Sequence, residues 1–115
     1  MGDRDGKNVG GSNIAVCRIL KPGTNPGEVA QASAVSDVFL GVTLEAIIPQ
    51  RAASYQKEGR AIVEAGAAVA AHTKITTDGS GRAITSGAPT TDTLLGISMT
   101  AASAAGDLIE VELRL

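Results

Sequence analysis

The chain has 115 residues, a formal charge of −2 and only two aromatic residues, Phe39 and Tyr55. That length allows one domain with a thin core of Val, Ile, Leu and Ala; the scattered basic residues, with no aromatic beside them, exclude the basic stripes and stacking platforms of nucleic-acid binders. A single Cys17 and a single His72 exclude an internal disulfide and a Cys/His metal cluster, and the longest small-residue run, at 65–72, falls far below the roughly 18 residues that cross a membrane.

Aliphatic side chains bring less area per residue than aromatic ones, at about 25 cal/mol per Å² buried, so assembly that buries further surface would stabilise such a chain. Residues 1–13 are Gly-, Asp- and Asn-rich and lack periodicity or an apolar secretory segment. They read as a flexible arm, either a disordered leader or a segment that orders against a partner by adding a strand to a sheet edge. The rest, 14–115, reads as one β domain made in a cytoplasm.

The first strand candidate is NIAVCRIL at 13–20, with Val16, Arg18 and Leu20 on one face and Ala15, Cys17 and Ile19 on the other. Cys17 fits a small buried hydrophobe better than a nucleophile, because no base or electropositive setting accompanies it. The Pro/Gly-rich KPGTNPG forces a turn, and Glu28 to Ala32 is a short return strand. SDVFLGVTLEA is a strand whose central Gly41 marks a bend or a close backbone approach. Over 49–58, Pro49 suits the first turn of a short helix, and a long hairpin loop fits equally. Ala61 to Glu64 is strand-like.

TKITTDGSGRAITSG is two β-prone runs around the Asp78-Gly79-Ser80-Gly81 turn. TDTLLGISMTA is a strand centred on Gly96, and ASAAGD is a turn. In the last strand Ile109, Val111, Leu113 and Leu115 alternate against Leu108, Glu110, Glu112 and Arg114, a half-buried antiparallel pattern.

Residues 20–44 lie over 75–99 without a gap: Leu20 meets Ile75, Val29 meets Ile84, Asp37 meets Asp92, and LGV at 40–42 meets LGI at 95–97. EGRAIVEA, from Glu58, resembles AGDLIEVE, from Ala105, once a longer loop is allowed. Two similar β units, about 14–64 and 65–115, would pack into a small antiparallel β-barrel or sandwich with little helix. No constellation of catalytic type stands out. His72 lacks a partner nucleophile, DGSGR lacks the ending of a phosphate loop and the carboxylates of a calcium loop, and Glu110 with Glu112 reads as a solvated strand face. The expectation is a non-enzyme without cofactor or metal.

The AG at 65–66, the turn at 78–82, LLGI at 94–97 and AASAAGDLIEV at 101–111 together resemble the C-terminal half of the small bacteriophage capsid decoration, or cement, proteins. VFLGVTLEA at 38–46 fits the same pattern more loosely, and His72 departs from it. The resemblance implies a trimeric β protein on the exterior of the expanded head, at three-fold and quasi-three-fold positions, that clamps major capsid protein subunits. It implies no enzyme activity and no cofactor. It also implies that the N-terminal segment, Met1 to Ile14, reaches the capsid or a neighbouring subunit, which makes Arg4, Asp5, Lys7, Asn8, Asn13 and Ile14 candidate contact residues; solubilising charge is an equal reading of Arg4, Asp5 and Lys7. Another phage component, such as a tail or adaptor part, or a small surface-binding module, is the alternative.

Overall fold

The computed structural model describes residues 3–88 and 90–115, and the regular elements among them are all strands. Five of them, β1 (Asp3–Asn8), β2 (Ile19–Pro22), β3 (Glu28–Gln31), β4 (Gly41–Thr43) and β5 (Ala52–Gln56), form a closed barrel in the order β1-β3-β2-β4-β5. Five more, β6 (Arg60–Glu64), β7 (Lys74–Thr77), β8 (Ala83–Thr85), β9 (Gly96–Ser98) and β10 (Leu108–Leu113), form a sheet in the order β6-β10-β9-β7-β8. The expected mainly β fold is what the chain adopts, as two sheets of which the first closes into a barrel; where little helix is expected, the described residues hold none.

The two units are one design used twice. Each ladder is antiparallel except at the seam, where β1 runs parallel to β3 and an isolated parallel bridge joins Ala65 to Ala83. The bridges Ile14–Ile47 and Val69–Ala102 recur 55 positions apart, as do the left-handed residues Cys17 and His72, both at φ 63°. Gly41 and Gly96 fill the same role. A Cβ on Gly41 would strike the Gln56 carbonyl, and one on Gly96 the Glu112 carbonyl, so each glycine lets its strand lie against the last strand of its unit.

A buried hydroxyl recurs as well. Arg18 N–H donates to Thr43 Oγ1 (2.9 Å) and the Thr43 hydroxyl donates to the Ala15 carbonyl (2.7 Å). In the second unit Thr73 N–H donates to Ser98 Oγ (3.0 Å) and the Ser98 hydroxyl to the Ala70 carbonyl (2.8 Å). Asp37 and Asp92 each accept backbone N–H bonds in their loops, from Ser33 and Ala34 and from Ala88 respectively.

Four stretches differ from the sequence expectation. Within the stretch expected to be a flexible arm, Asp3–Asn8 is a strand that pairs with both β5 and β3 and so closes the first barrel; Met1 and Gly2 lie outside the described residues. No apolar alternation announces β1 because its inward positions are Gly6, pressed against Val29 and Tyr55, and Asn8. Residues 13–18 are not a strand, since the left-handed Cys17 breaks the extended run before Ile19. Ala52–Gln56 is β5 rather than a helix or loop; only Tyr55 of it is buried, too few apolar positions to show a period.

The fourth difference is β6, which belongs to the second sheet. Each unit therefore opens with its own seam strand, giving units of 3–56 and 60–113 in place of 14–64 and 65–115. Consequently β6 and β10, matched as equivalents in the sequence, are antiparallel neighbours instead. The hairpin turn of the second unit is also one residue shorter, so Val29 corresponds to Ala83 at the seam rather than to Ile84.

The core crosses the unit boundary. Leu20, Val29, Ile14, Ile47 and Tyr55 fill the first barrel, whereas Ile19, Ala32, Phe39 and Val42 point outward from it into the cluster of Val63, Ile75, Leu95, Ile109 and Val111. At the seam of the first unit Lys7 N–H donates directly to the Gly27 carbonyl. In the second unit the equivalent groups are parted by residues 17–19: Glu64 N–H donates to the Cys17 carbonyl (3.0 Å), and Ile19 N–H to the Gly81 carbonyl (2.8 Å). A strip of the first unit is thus built into the seam of the second.

Candidate interaction surface

Strand alternation along β1 sets where the expected contact residues stand. Asp5 and Lys7 are exposed on its outward row, and Asp5 Oδ1 accepts the Ser54 hydroxyl (3.2 Å). Arg4 sits opposite Tyr55 in register; its side chain lies outside the described residues. Asn13 is exposed. Asn8 and Ile14 are interior. The Asn8 amide donates to the carbonyl of Ile47 (2.7 Å), which also accepts the Ile14 N–H, and to the carbonyl of Ser12 (2.9 Å), so its buried side chain is paired on both sides of the bend after β1. Ile14 is buried in the first barrel and bridged to Ile47 through the backbone. The structure thus brings Asp5 and Lys7 together and turns Asn8 and Ile14 inward.

An ion cluster straddles the units. Arg18 Nη2 lies 3.1 Å from Glu64, Arg82 lies 3.8 Å from Glu64 and 3.0 Å from Asp78, and Arg18 Nη1 donates to the Ser80 carbonyl. The DGSGR stretch is a hairpin turn whose Asp78 carboxylate accepts the N–H groups of Ser80 and Arg82. Burial, and then the nearby Glu64 charge, push the Cys17 thiol up, which lowers its thiolate fraction. His72 is exposed at its left-handed turn. Glu110 and Glu112 pair with Arg60 (3.3 and 3.8 Å), and Glu112 with Arg114 (3.1 Å), as expected of a solvated face.

The feature that sequence reasoning missed is aliphatic. Because Glu64 N–H bonds to Cys17 and Cys17 N–H bonds to Thr43, a continuous backbone-bonded surface runs from β10 through β6 and residues 16–18 to β4. Leu108 (58 % exposed), Ile62 (45 %), Val16 (46 %) and Leu44 (44 %) stand on it. Val16, Leu44 and Ile62 border a shallow cavity of about 220 Å³ at the unit junction, floored by Val42 and Thr43. Clustered exposed aliphatics rimmed by charge mark protein-interaction surfaces more often than scattered ones do. In the sequence Leu108 already falls on the polar row of its strand with Glu110 and Glu112; what the sequence does not show is that the pairing of β6 with β10 sets Ile62 on the same outward surface.

Ten short strands among the described residues, a repeated seam and an aliphatic face without exposed aromatics place the chain in a class: a small mainly β protein of two similar units, the first closed into a barrel, with a surface suited to other proteins. No curated protein matches it. A family described as phage cement protein matches residues 11–115, and the chain belongs to that family. It is a β-structured phage structural protein associated with the capsid. Its fold is similar to that of the head fiber gp8.5 N base of bacteriophage phi29, with a TM-score of 0.77 at 18 % identity over 97 % of this chain and 92 % of that one.

Proposed function

We propose that the protein binds the outer surface of the expanded phage head and stabilises it, as a homotrimer at three-fold and quasi-three-fold positions, by clamping adjacent major capsid protein subunits. The observation that carries this reading is the family match over 11–115, nearly the whole described chain. The all-strand architecture supports it, because a first barrel closed on itself and a second sheet bonded to residues 17–19 leave little open edge for unwanted pairing. The aliphatic surface at Val16, Leu44, Ile62 and Leu108 supports it too, as an area for contact with a subunit or the shell. Many such contacts repeated over a closed shell add up by multivalency without any single one being tight. The role requires no catalysis and no cofactor. Likeness to a head fiber base favours a position on the head over one on the tail.

Co-sedimentation with expanded and unexpanded heads tests the reading, alongside the mass of the free oligomer. Binding to expanded heads alone and a trimer mass are expected. Equal binding to unexpanded heads, or labelling of the tail, would overturn it.

A further inference from the structure

The duplication presents one surface twice, and only one copy of it is covered. In the first unit the segment after the left-handed Cys17 lays its backbone into the neighbouring seam, through the Cys17 carbonyl and the Ile19 N–H. The second unit builds the same edge at 72–74. His72 has the same φ of 63°, and its N–H donates to Ser98 as the Cys17 N–H does to Thr43. The Ser98 hydroxyl holds Thr73 and Ala70 as the Thr43 hydroxyl holds Arg18 and Ala15. Yet among the described residues neither the His72 carbonyl nor the Lys74 N–H makes a backbone bond outside the strand ladders, as Cys17 and Ile19 do, and both residues are exposed. Beside them Ile97 is half-buried where its counterpart Val42 is fully covered.

What covers the first copy of this edge is extended backbone, so extended backbone is what the second copy is shaped to take. A second copy of the chain offers little of it: the first barrel is closed, and the seam of the second unit already holds residues 17–19. Side chains narrow the choice further. Lys74 stands where Ile19 stands in the first unit, and burying its ammonium under an apolar strand would be costly, whereas a carboxylate across from it would be favourable.

We propose that the 72–74 edge of the second unit docks an extended, acidic segment of the capsid protein, with the Lys74 N–H and the His72 carbonyl forming the backbone bonds and Lys74 facing a carboxylate. This rests on the capsid reading above.

Amide hydrogen exchange of the full chain, free and bound to expanded heads, tests it, together with head affinity of Lys74→Glu. In the free protein the Lys74 amide should exchange fast and the Ile19 amide slowly; on heads the Lys74 amide should slow by about tenfold or more. Lys74→Glu should weaken head binding by about tenfold at unchanged melting temperature. If bound protein shows a Lys74 amide as fast as in the free state, the docking edge is refuted while the capsid reading stands. If that amide is already slow in the free oligomer, the edge belongs to a contact between copies and the proposal is overturned. If the protein does not bind heads, both fall.

Discussion

Replacing Thr43 by Val tests whether the buried hydroxyl holds the segment that bridges the units. Val keeps the β-branched shape, so the strand and its packing are retained and only the polar contacts are lost. Two partners are then orphaned: the Arg18 N–H, which sits partly buried, and the Ala15 carbonyl. An unsatisfied buried donor costs about 1–3 kcal/mol, and Ala15 is exposed, so water can replace part of what its carbonyl loses. The sum is about 2–3 kcal/mol, or about 8–12 °C in melting temperature at about 4 °C per kcal/mol for a chain of this size. Urea unfolding followed by circular dichroism, at fixed protein concentration so that assembly does not shift the midpoint, measures it. Ser98→Ala removes the equivalent group in the second unit and should cost a similar amount. A Thr43→Val protein within about 0.5 kcal/mol of the parent would refute the reasoning, because a surface-like effect of that size leaves no room for a buried bond.

Gly96→Ala drives a methyl group into the Glu112 carbonyl and to 3.1 Å from the Leu113 Cα, so β9 and β10 must part; a loss of about 2–3 kcal/mol in the same urea assay is expected, with Gly41→Ala comparable. Deleting residues 1–8 uncovers Val29 and Tyr55, each worth about 1.5–3 kcal/mol when buried; calorimetry should show melting lowered by at least about 10 °C, and an unchanged midpoint would mean that β1 does not close the barrel. In acid, Asp37 is held below its usual value by the Ser33 and Ala34 N–H groups and Lys21, Asp107 by the Ser103 hydroxyl and the N–H groups of Ser103 and Ala104, and Glu28 by Asn25. Depressed folded values contribute stability that is complete above the unfolded values of 3.8 for Asp and 4.5 for Glu and is lost as pH falls through the folded ones. Melting temperature should therefore be flat from pH 7 to 5 and fall below about pH 4, with a shallower fall in the Asp37→Asn, Asp107→Asn double variant.

What could be read from sequence was whatever repeats or alternates. β10 was plain because Ile109, Val111 and Leu113 face inward against Glu110 and Glu112, and Gly41 and Gly96 stood out as matched interruptions. β1 and β5 were hidden for a shared reason. A seam strand in so narrow a barrel fills its inward positions with Gly6 and Asn8, and its partner contributes one large side chain, Tyr55, so neither carries an apolar period. Losing β1 shifted the unit boundaries and mismatched β6 with β10. On the surface, Asp5 and Lys7 stand exposed because they alternate with Gly6 and Asn8 along β1, in a stretch that reads in the sequence as an arm without periodicity. Asn8 and Ile14 were misplaced because the bend that buries them depends on Ile47, far along the chain. The aliphatic face escaped because Leu108, already on the polar row of its strand, comes beside Ile62 only through pairing between strands more than forty positions apart.

The strip at 17–19 gives the two halves different histories. A first unit emerging from the ribosome holds every strand its barrel needs, beginning with the seam strand β1. The second cannot finish its seam from its own residues, because Glu64 and Gly81 bond to Cys17 and Ile19 rather than to each other. In its seam bonding the later half therefore relies on the earlier one, and not the reverse. The repeated pattern is thus an unequal pair, in which the second sheet takes part of its seam from the first unit while the first barrel is closed by its own strands.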